Sequence, residues 1–576
     1  MDQKRLFLAI ALSMVILLGW RYVLPQHPPT PAADPAATTS TPTPPPTQFA
    51  NPGSQPQPVA PPREVPRLPV QAARVQGSIS LVGARLDDLV LRDYHEEVSP
   101  DSPLVRVLEP RSDPQPNYLE FGWTAPADIR VPDDNTLWTA SAPALTGAAP
   151  VTLSWDNGAG LVFEIAYSVD ANYMFTVEQR VRNTGTAAVT VTPWSRVRRD
   201  YTPEVAGYYL LHEGYVGVLD GRLQELKYAT AKDDAAKSPN PALRIAGPGG
   251  WAGITDKYWL TALVPDQATK GTTEYLYRAD NGAPRYAVAW QPDTAQTVAP
   301  GATASTTARA FAGAKEVRLL DTYMDQLHIP LFDHAVDFGW FDFLTKPIFL
   351  ALDWLYHQTG NFGVAILIFT LFVKALFFPL ANRSYKSMSK MKLLGPKMTA
   401  LRERFKDEPA KLQGEMMSLY KAEGVNPVSG CLPMLLQVPV FFCLYKVIFV
   451  TIEMRHAPFF GWIHDLSAVD PTNIFNLFGL IPVQPQDYLP LLHLGIWPLI
   501  MGVTMFLQQK LNPPPPDPVQ ARLFQFMPII FTFMLARFPA GLVIYWSWNN
   551  TLTILQQWFI MRRSRLSTGT GVAVRT

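Results

Sequence analysis

A lysine stands inside one of the most apolar stretches of the chain. Lys374 follows Phe369-Thr370-Leu371-Phe372-Val373 and precedes Ala375-Leu376-Phe377-Phe378-Pro379-Leu380. A lysine in the middle of a bilayer-spanning helix costs roughly 2.5–3.5 kcal/mol on insertion scales. Snorkelling, an acidic partner or a wet cavity must offset that cost. About eight residues separate Lys374 from Asn382 at the predicted inner end, roughly 12 Å of helix rise, and the side chain covers about half of it. Lys446 lies about five residues from the outer end of its own run, where snorkelling outward is the simpler account. None of the apolar runs carries an Asp or Glu to pair with either lysine. They do carry Thr370, Gln437, Thr504, Gln508, Gln525, Asn549, Asn550, Gln556 and Gln557. A cation ringed by amides and hydroxyls fits a hydrated groove open to the cytoplasm. Ion-coupled transport usually relies on intramembrane carboxylates as relays, and these are missing.

Catalytic signatures are missing too. The sequence has no HExxH, GxSxG or Walker A motif, and no GxGxxG in a strand–helix setting. His95-Glu96 and His212-Glu213 lack a second histidine at metal-binding spacing, and His493 stands alone near the end of a run. Two cysteines exclude a disulfide scaffold and a cysteine-based metal cluster. The reading is a protein that is not an enzyme, with no catalytic residue, no metal and no cofactor.

The elements that must hold Lys374 emerge from composition. The 576 residues are 48% hydrophobic and 17% charged, against about 25% charged in soluble chains. A net charge of +1 argues against binding nucleic acid through bulk charge. Mean hydropathy is +0.03, an average over unlike parts. Residues 1–24 read as a transmembrane anchor led by Lys4 and Arg5. A cleaved signal peptide would need small residues where Gly19-Trp20-Arg21-Tyr22 stand. Residues 25–70, with 16 prolines, read as a semi-rigid tether; proline-rich ligands of recognition modules share the composition.

Residues 71–337 predict a β-sandwich. Ser78–Val82, Leu161–Tyr167, Phe175–Val181, Ala188–Thr192 and Tyr286–Trp290 read as strands, punctuated by Asp156-Asn157-Gly158 and Asp280-Asn281-Gly282. Residues 338–358 predict an amphipathic helix at the membrane interface, with a packed linker helix as the alternative. Apolar runs follow at Phe362–Leu380, Cys431–Thr451, Leu489–Leu507, Leu523–Ala536 and Leu542–Ile560. With the anchor they make six predicted spans; the five-helix core covers 359–563 and a tail covers 564–576.

Loop charge predicts the orientation. The loop after the second span carries ten basic residues: Arg383, Lys386, Lys390, Lys392, Lys397, Arg402, Arg404, Lys406, Lys411 and Lys421. The next loop carries only Arg455, the following one Lys510 and Arg522, and the last short turn only Arg537. The tail carries Arg562, Arg563, Arg565 and Arg575. Both termini are thus expected inside and the β domain outside. The basic loop, 383–428, reads as a helical hairpin broken at Gly395-Pro396 and Glu408-Pro409. Its methionines, Met388, Met391, Met398, Met416 and Met417, suit either an adaptable surface or an ordinary apolar stripe. Its cations suit anionic lipid headgroups, ribosomal RNA, or a solvated face that sets topology.

Several ordered motifs resemble the YidC membrane protein insertases. They are Phe369–Leu380, Tyr420–Pro427 followed by Gly430-Cys431-Leu432-Pro433, Trp462–Ser467, Gly502–Met505 and Phe538–Val543. The match is dense over about 340–563, whereas the anchor and β domain match the two-membrane bacterial form in layout. The resemblance implies a multi-domain fold: a six-span α-helical membrane protein with a five-helix insertase core and a periplasmic β-supersandwich. It implies insertion and folding of inner-membrane proteins through the groove, alone or with the Sec translocon. Nascent membrane proteins, the Sec translocon, ribosomes and membrane lipids are the implied partners. Lys374 takes the place of a groove cation that is commonly arginine, keeping the charge and losing the planar fork. Tyr545-Trp546 stands at an aromatic substrate-contact position, often tyrosine. Two rivals remain from the residues alone. A solute transporter would call for inverted repeats or intramembrane acids, and neither is evident. A sugar-active β domain has no carboxylate pair that stands out.

Overall fold

The computed structural model describes residues 65–204, 211–237, 241–280, 282–405, 408–424, 432–481, 485, 492–512 and 518–569. The predicted anchor, nearly all of the tether, the Val425–Cys431 part of the hairpin motif and the end of the tail lie outside the described residues.

Residues from Arg67 onward form two stacked sheets of eleven and nine strands. Period-two burial drives this arrangement. Along Leu161–Val169 the buried positions include Leu161, Phe163, Ile165 and Tyr167, and along Met174–Asn183 they include Phe175, Val177 and Val181. Those two strands pair antiparallel through their whole length. Gly158 and Gly282 take the left-handed conformations of the two predicted turns. The predicted tether runs too far: Arg67–Gln71 is already a strand, paired to Val75–Ser80. Leu68 and Val70 bury on one face there, a short alternation that Pro66 and Pro69 hide in the sequence.

Among its described residues the β region carries the α-helices α1 (Tyr228–Lys237) and α2 (Val317–Leu327). Helix α3 (Asp342–Thr359) follows, four residues later than its predicted start. Phe338, ahead of it, is buried. One stripe of α3, Phe343, Leu350 and Trp354, is exposed while Ile348, Phe349 and Leu352 are buried, so apolar groups occupy both faces.

The second predicted span does not run straight. Helix α4 (Phe362–Leu376) ends, α5 (Phe378–Leu393) begins, and the pair bends by 67°. Pro379 supplies the cause: it has no N–H for the carbonyl four residues earlier. Helices α6 (Gly395–Arg404) and α7 (Pro409–Ala422) form the basic hairpin and begin at the predicted breaks. Further along, the described residues form α8 (Leu432–Val450), α9 (Ile496–Leu511), α10 (Pro518–Leu535) and α11 (Ala540–Gly569). Among the described residues no single helix is long and apolar enough to cross a membrane; the bent pair α4–α5 meets that test together.

Candidate functional site

The bend re-places Lys374. It lies in the last turn of α4, not mid-helix, and so beside carbonyls that favour a cation. Its Nζ donates to Thr553 Oγ1 of α11 at 2.8 Å and to Gln437 Oε1 of α8 at 3.4 Å. Gln437 Nε2 donates to the Tyr545 hydroxyl at 3.3 Å. Among the described residues no carboxylate pairs with Lys374. A cleft lies here, lined by Thr370, Lys374, Tyr385, Gln437, Tyr545, Asn549 and Gln556 among apolar groups.

The predicted groove residues thus divide. Lys374, Thr370, Gln437, Tyr545 and Asn549 share the cleft. The Thr370 hydroxyl donates to the Ile366 carbonyl at 2.6 Å. Thr504, Gln508 and Trp546 do not line it. Helical phase on α11 explains the division. Residues 545, 549, 553 and 556 follow one face, whereas Trp546 and Asn550 belong to the next. Asn550 Nδ2 donates to Thr504 Oγ1 at 3.4 Å, and Trp546 packs edge-on against Phe441 and Phe531. The i, i+4, i+8 spacing from Tyr545 through Asn549 is the signal that would have found Thr553.

The basic hairpin closes on an apolar stripe. Leu394, Met398 and Tyr420 are buried, with Met391 and Met416 packed against them. Met388 packs near Ala381, Tyr385 and Ile560, and Met417 is exposed. Arg383, Lys386, Lys390 and Arg404 are exposed, and Arg402 is half-exposed. The Lys392 side chain lies outside the described residues. Lys397 pairs with Glu423 across the hairpin at 2.7 Å.

At the other end of the helices, the β domain is fastened to the core. Lys446 pairs with Asp337 at 3.0 Å, a carboxylate that lies outside the apolar runs. Lys346 bridges Asp321 and Asp333, each at 2.7 Å. Lys257, at the turn between strands Trp251–Thr255 and Trp259–Val264, stands 3.8 Å above the Phe449 ring. Burial pushes its ammonium down to about 8. Arg455 stacks on Tyr258 and Trp259 and donates to the Glu96 carbonyl. Glu453 Oε1 accepts from the Val317 N–H at 2.9 Å, opening α2. Burial pushes the Glu453 carboxyl up to about 7, against the backbone N–H groups that favour its charged form.

Residues 67–351 match the family described as "YidC periplasmic domain", and residues 354–567 match "60Kd inner membrane protein". The membrane protein insertase YidC of Granulibacter bethesdensis is 61% identical over 98% of this chain and 99% of its own length. That of Acidiphilium cryptum is 57% identical over 86% of this chain and 84% of its own. The chain belongs to the YidC family. A solved active YidC insertase aligns over 86% of this chain and 93% of its own at 19% identity, with a TM-score of 0.35, a likeness too weak to place residues.

This family member is a membrane protein insertase: a multi-domain protein of the bacterial inner membrane with a β-rich periplasmic domain. The cleft around Lys374 lies within the part that matches the inner-membrane family, and the two stacked sheets within the part that matches the periplasmic family.

Proposed function

We propose that the insertase works through the Lys374 cleft. A short polar tail or loop of a nascent membrane protein enters the cleft, attracted by Lys374 where that segment is acidic. The cleft shortens the apolar distance the segment must cross. The apolar helix of the substrate moves along lipid-facing surfaces of the third and fifth spans, α8 and α10. Transfer of that helix into lipid supplies the driving energy, so the reaction needs no nucleotide. The protein crosses the membrane six times, the anchor at residues 1–24 included, with both termini cytoplasmic. The basic hairpin faces the cytoplasm, where Arg383, Lys386, Lys390, Lys392, Arg402 and Arg404 meet anionic lipid or ribosomes. The Sec translocon is a partner for larger substrates.

One observation carries this reading. Lys374 is held by neutral groups alone among the described residues, with its ammonium among the amides and hydroxyls of the cleft. A cation so placed attracts an incoming carboxylate without first breaking an ion pair. Depletion of the resident insertase followed by complementation tests it. Lys374→Arg should support insertion of acidic-tailed single-span substrates, and Lys374→Glu should fail. Wild-type insertion by Lys374→Glu would overturn the charge-attraction role. Site-specific crosslinking from positions 374 and 545 to stalled nascent chains should capture the same substrates.

A further inference from the structure

The segment before α9 carries a compact apolar hook. Phe475, Leu477, Phe478, Leu480 and Ile481 are all exposed, Leu480 by 83%. Leu477 and Phe478 hold left-handed backbone at φ 51° and 60°, ahead of Gly479 at 94°. Bulky residues rarely sit there, and two asparagines fix them in place. Asn473 Oδ1 accepts from Phe475 N–H at 3.1 Å, and its carbonyl accepts from Phe478 N–H at 2.9 Å. Asn476 Oδ1 accepts from Gly479 N–H at 3.0 Å. The base is pinned to the residues that open α9: Asn473 Nδ2 donates to the Leu492 carbonyl at 2.8 Å, and Ile474 N–H to the Leu494 carbonyl at 3.0 Å. Several backbone N–H groups of the hook thus have partners in it or at its base, while its large apolar groups are exposed.

Two further observations say what covers them. Helix α9 has 16 residues, about 24 Å of rise, against a bilayer core of ~30 Å. Its apolar surface is short, and the hook is fastened at its N-terminal end. On α9 itself Ile500, Val503, Phe506 and Leu507 are also exposed, so hook and helix both present bare apolar groups. Between Pro471 and Pro482 there is no charged residue, which suits the acyl boundary of a bilayer rather than a charged partner.

We propose that residues 474–481 insert into the outer leaflet and complete the short span α9. The inference rests on the orientation given under Proposed function, in which the N-terminal end of α9 faces outward. An environment-sensitive fluorophore at Leu480→Cys, and separately at Phe475→Cys, tests it in a Cys431→Ser, Cys443→Ala background reconstituted into phosphatidylcholine vesicles. Nitroxide lipids labelled near the headgroup should quench both reporters by more than half, and aqueous iodide should barely reach them. A reporter at Phe526→Cys on α10 should be quenched by lipid, and one at Leu137→Cys on the β domain by iodide alone. If the hook reporters are open to iodide and untouched by nitroxide lipid, the hook is in water and the proposal fails. If both quenchers are excluded, protein covers the hook and the proposal again fails. If the Phe526 reporter also escapes lipid, the membrane placement itself is wrong, a result distinct from failure of the hook.

Discussion

The Lys374 ammonium donates to the Thr553 hydroxyl at 2.8 Å, and that hydroxyl donates to the Asn549 carbonyl one turn earlier at 2.7 Å. The hydroxyl proton is therefore committed, and a lone pair is left facing the cation. Thr553 sets the direction in which Lys374 points; the charge does the attracting. A hydrogen bond to a charged group contributes roughly 1.5–3 kcal/mol. Thr553→Val, close in volume, should weaken insertion of acidic-tailed substrates several-fold, and Thr553→Ser should restore it. Lys374→Ala should weaken it further. Adding Thr553→Val to Lys374→Ala should cost almost nothing more, because the two act as one unit. Insertion yields of the single and double variants check this.

Glu453 makes the fastening of the β domain depend on pH. Its carboxyl is pushed up from the ordinary glutamate range to about 7 because burial penalises the charge. One oxygen caps the Val317 N–H, and the other is buried with no partner. Glu316 and Asp353 face it and raise it further. The folded protein therefore holds this proton more tightly than the unfolded chain. Its stabilising contribution is complete below about pH 4.5, the unfolded value, and is lost as pH rises through about 7. At roughly 1.4 kcal/mol per unit the loss is at most a few kcal/mol. The melting temperature of the detergent-solubilised protein should fall between pH 5.5 and pH 8. Glu453→Gln, a neutral mimic, should flatten that part of the dependence. An unchanged slope in the variant would assign the pH dependence elsewhere.

Lys257 and Arg455 hold the junction by a different means. One ammonium lies over Phe449, and one guanidinium lies over Tyr258 and Trp259. Desolvated cation–π contacts reach about 2 kcal/mol. Lys257→Ala with Arg455→Ala should therefore raise hydrogen exchange at 256–260 and 452–467. Exchange in the strand pair Leu161–Val169 and Met174–Asn183, three and two strands away from Trp259–Val264 in the same sheet, should not change. A uniform rise across the β domain would mean the substitutions unfold it rather than release it.

Sequence and structure part company where distant segments meet. Strands such as Leu161–Val169 are legible because alternation is local and strong. The breaks at Gly395-Pro396 and Glu408-Pro409 are legible because proline acts within one turn. The same chemistry at Pro379 is obscured by the apolar run around it, so Lys374 reads as mid-helix when it ends one. Thr553 is marked only by its spacing from Tyr545 and Asn549, two turns and one turn earlier on α11, and its partner Lys374 is not evident until α4 lies against α11. Thr504 and Gln508 read as groove residues by composition, but the facing of α9 turns them elsewhere. The junction is less legible still. Lys257, Glu453 and Val317 are far apart in the chain, and their pairing follows from how the β domain docks.

Asp470 offers the sharpest test of the outer loop. It is 1% exposed, and its contacts tie the preceding loop to the start of α9. Oδ2 accepts from the Trp497 N–H at 2.9 Å, and Oδ1 accepts from Trp462 Nε1 and from the Thr472 N–H and hydroxyl. Its carbonyl oxygen lies 2.9 Å from His493 Nε2. Loss of a helix cap alone costs ~0.5–2 kcal/mol. Here Asp470→Ala also orphans the Trp462 indole and two further donors, so the total should exceed the cost of a simple cap. Asp470→Asn keeps acceptors but places an amide against N–H groups, and should recover only part of the loss. The hook of residues 474–481 hangs from the same segment. Its reporters should therefore lose lipid quenching in Asp470→Ala while the reporter at Phe526→Cys keeps it. If melting temperature and hook quenching both stay at wild-type values, Asp470 does not organise this end of α9.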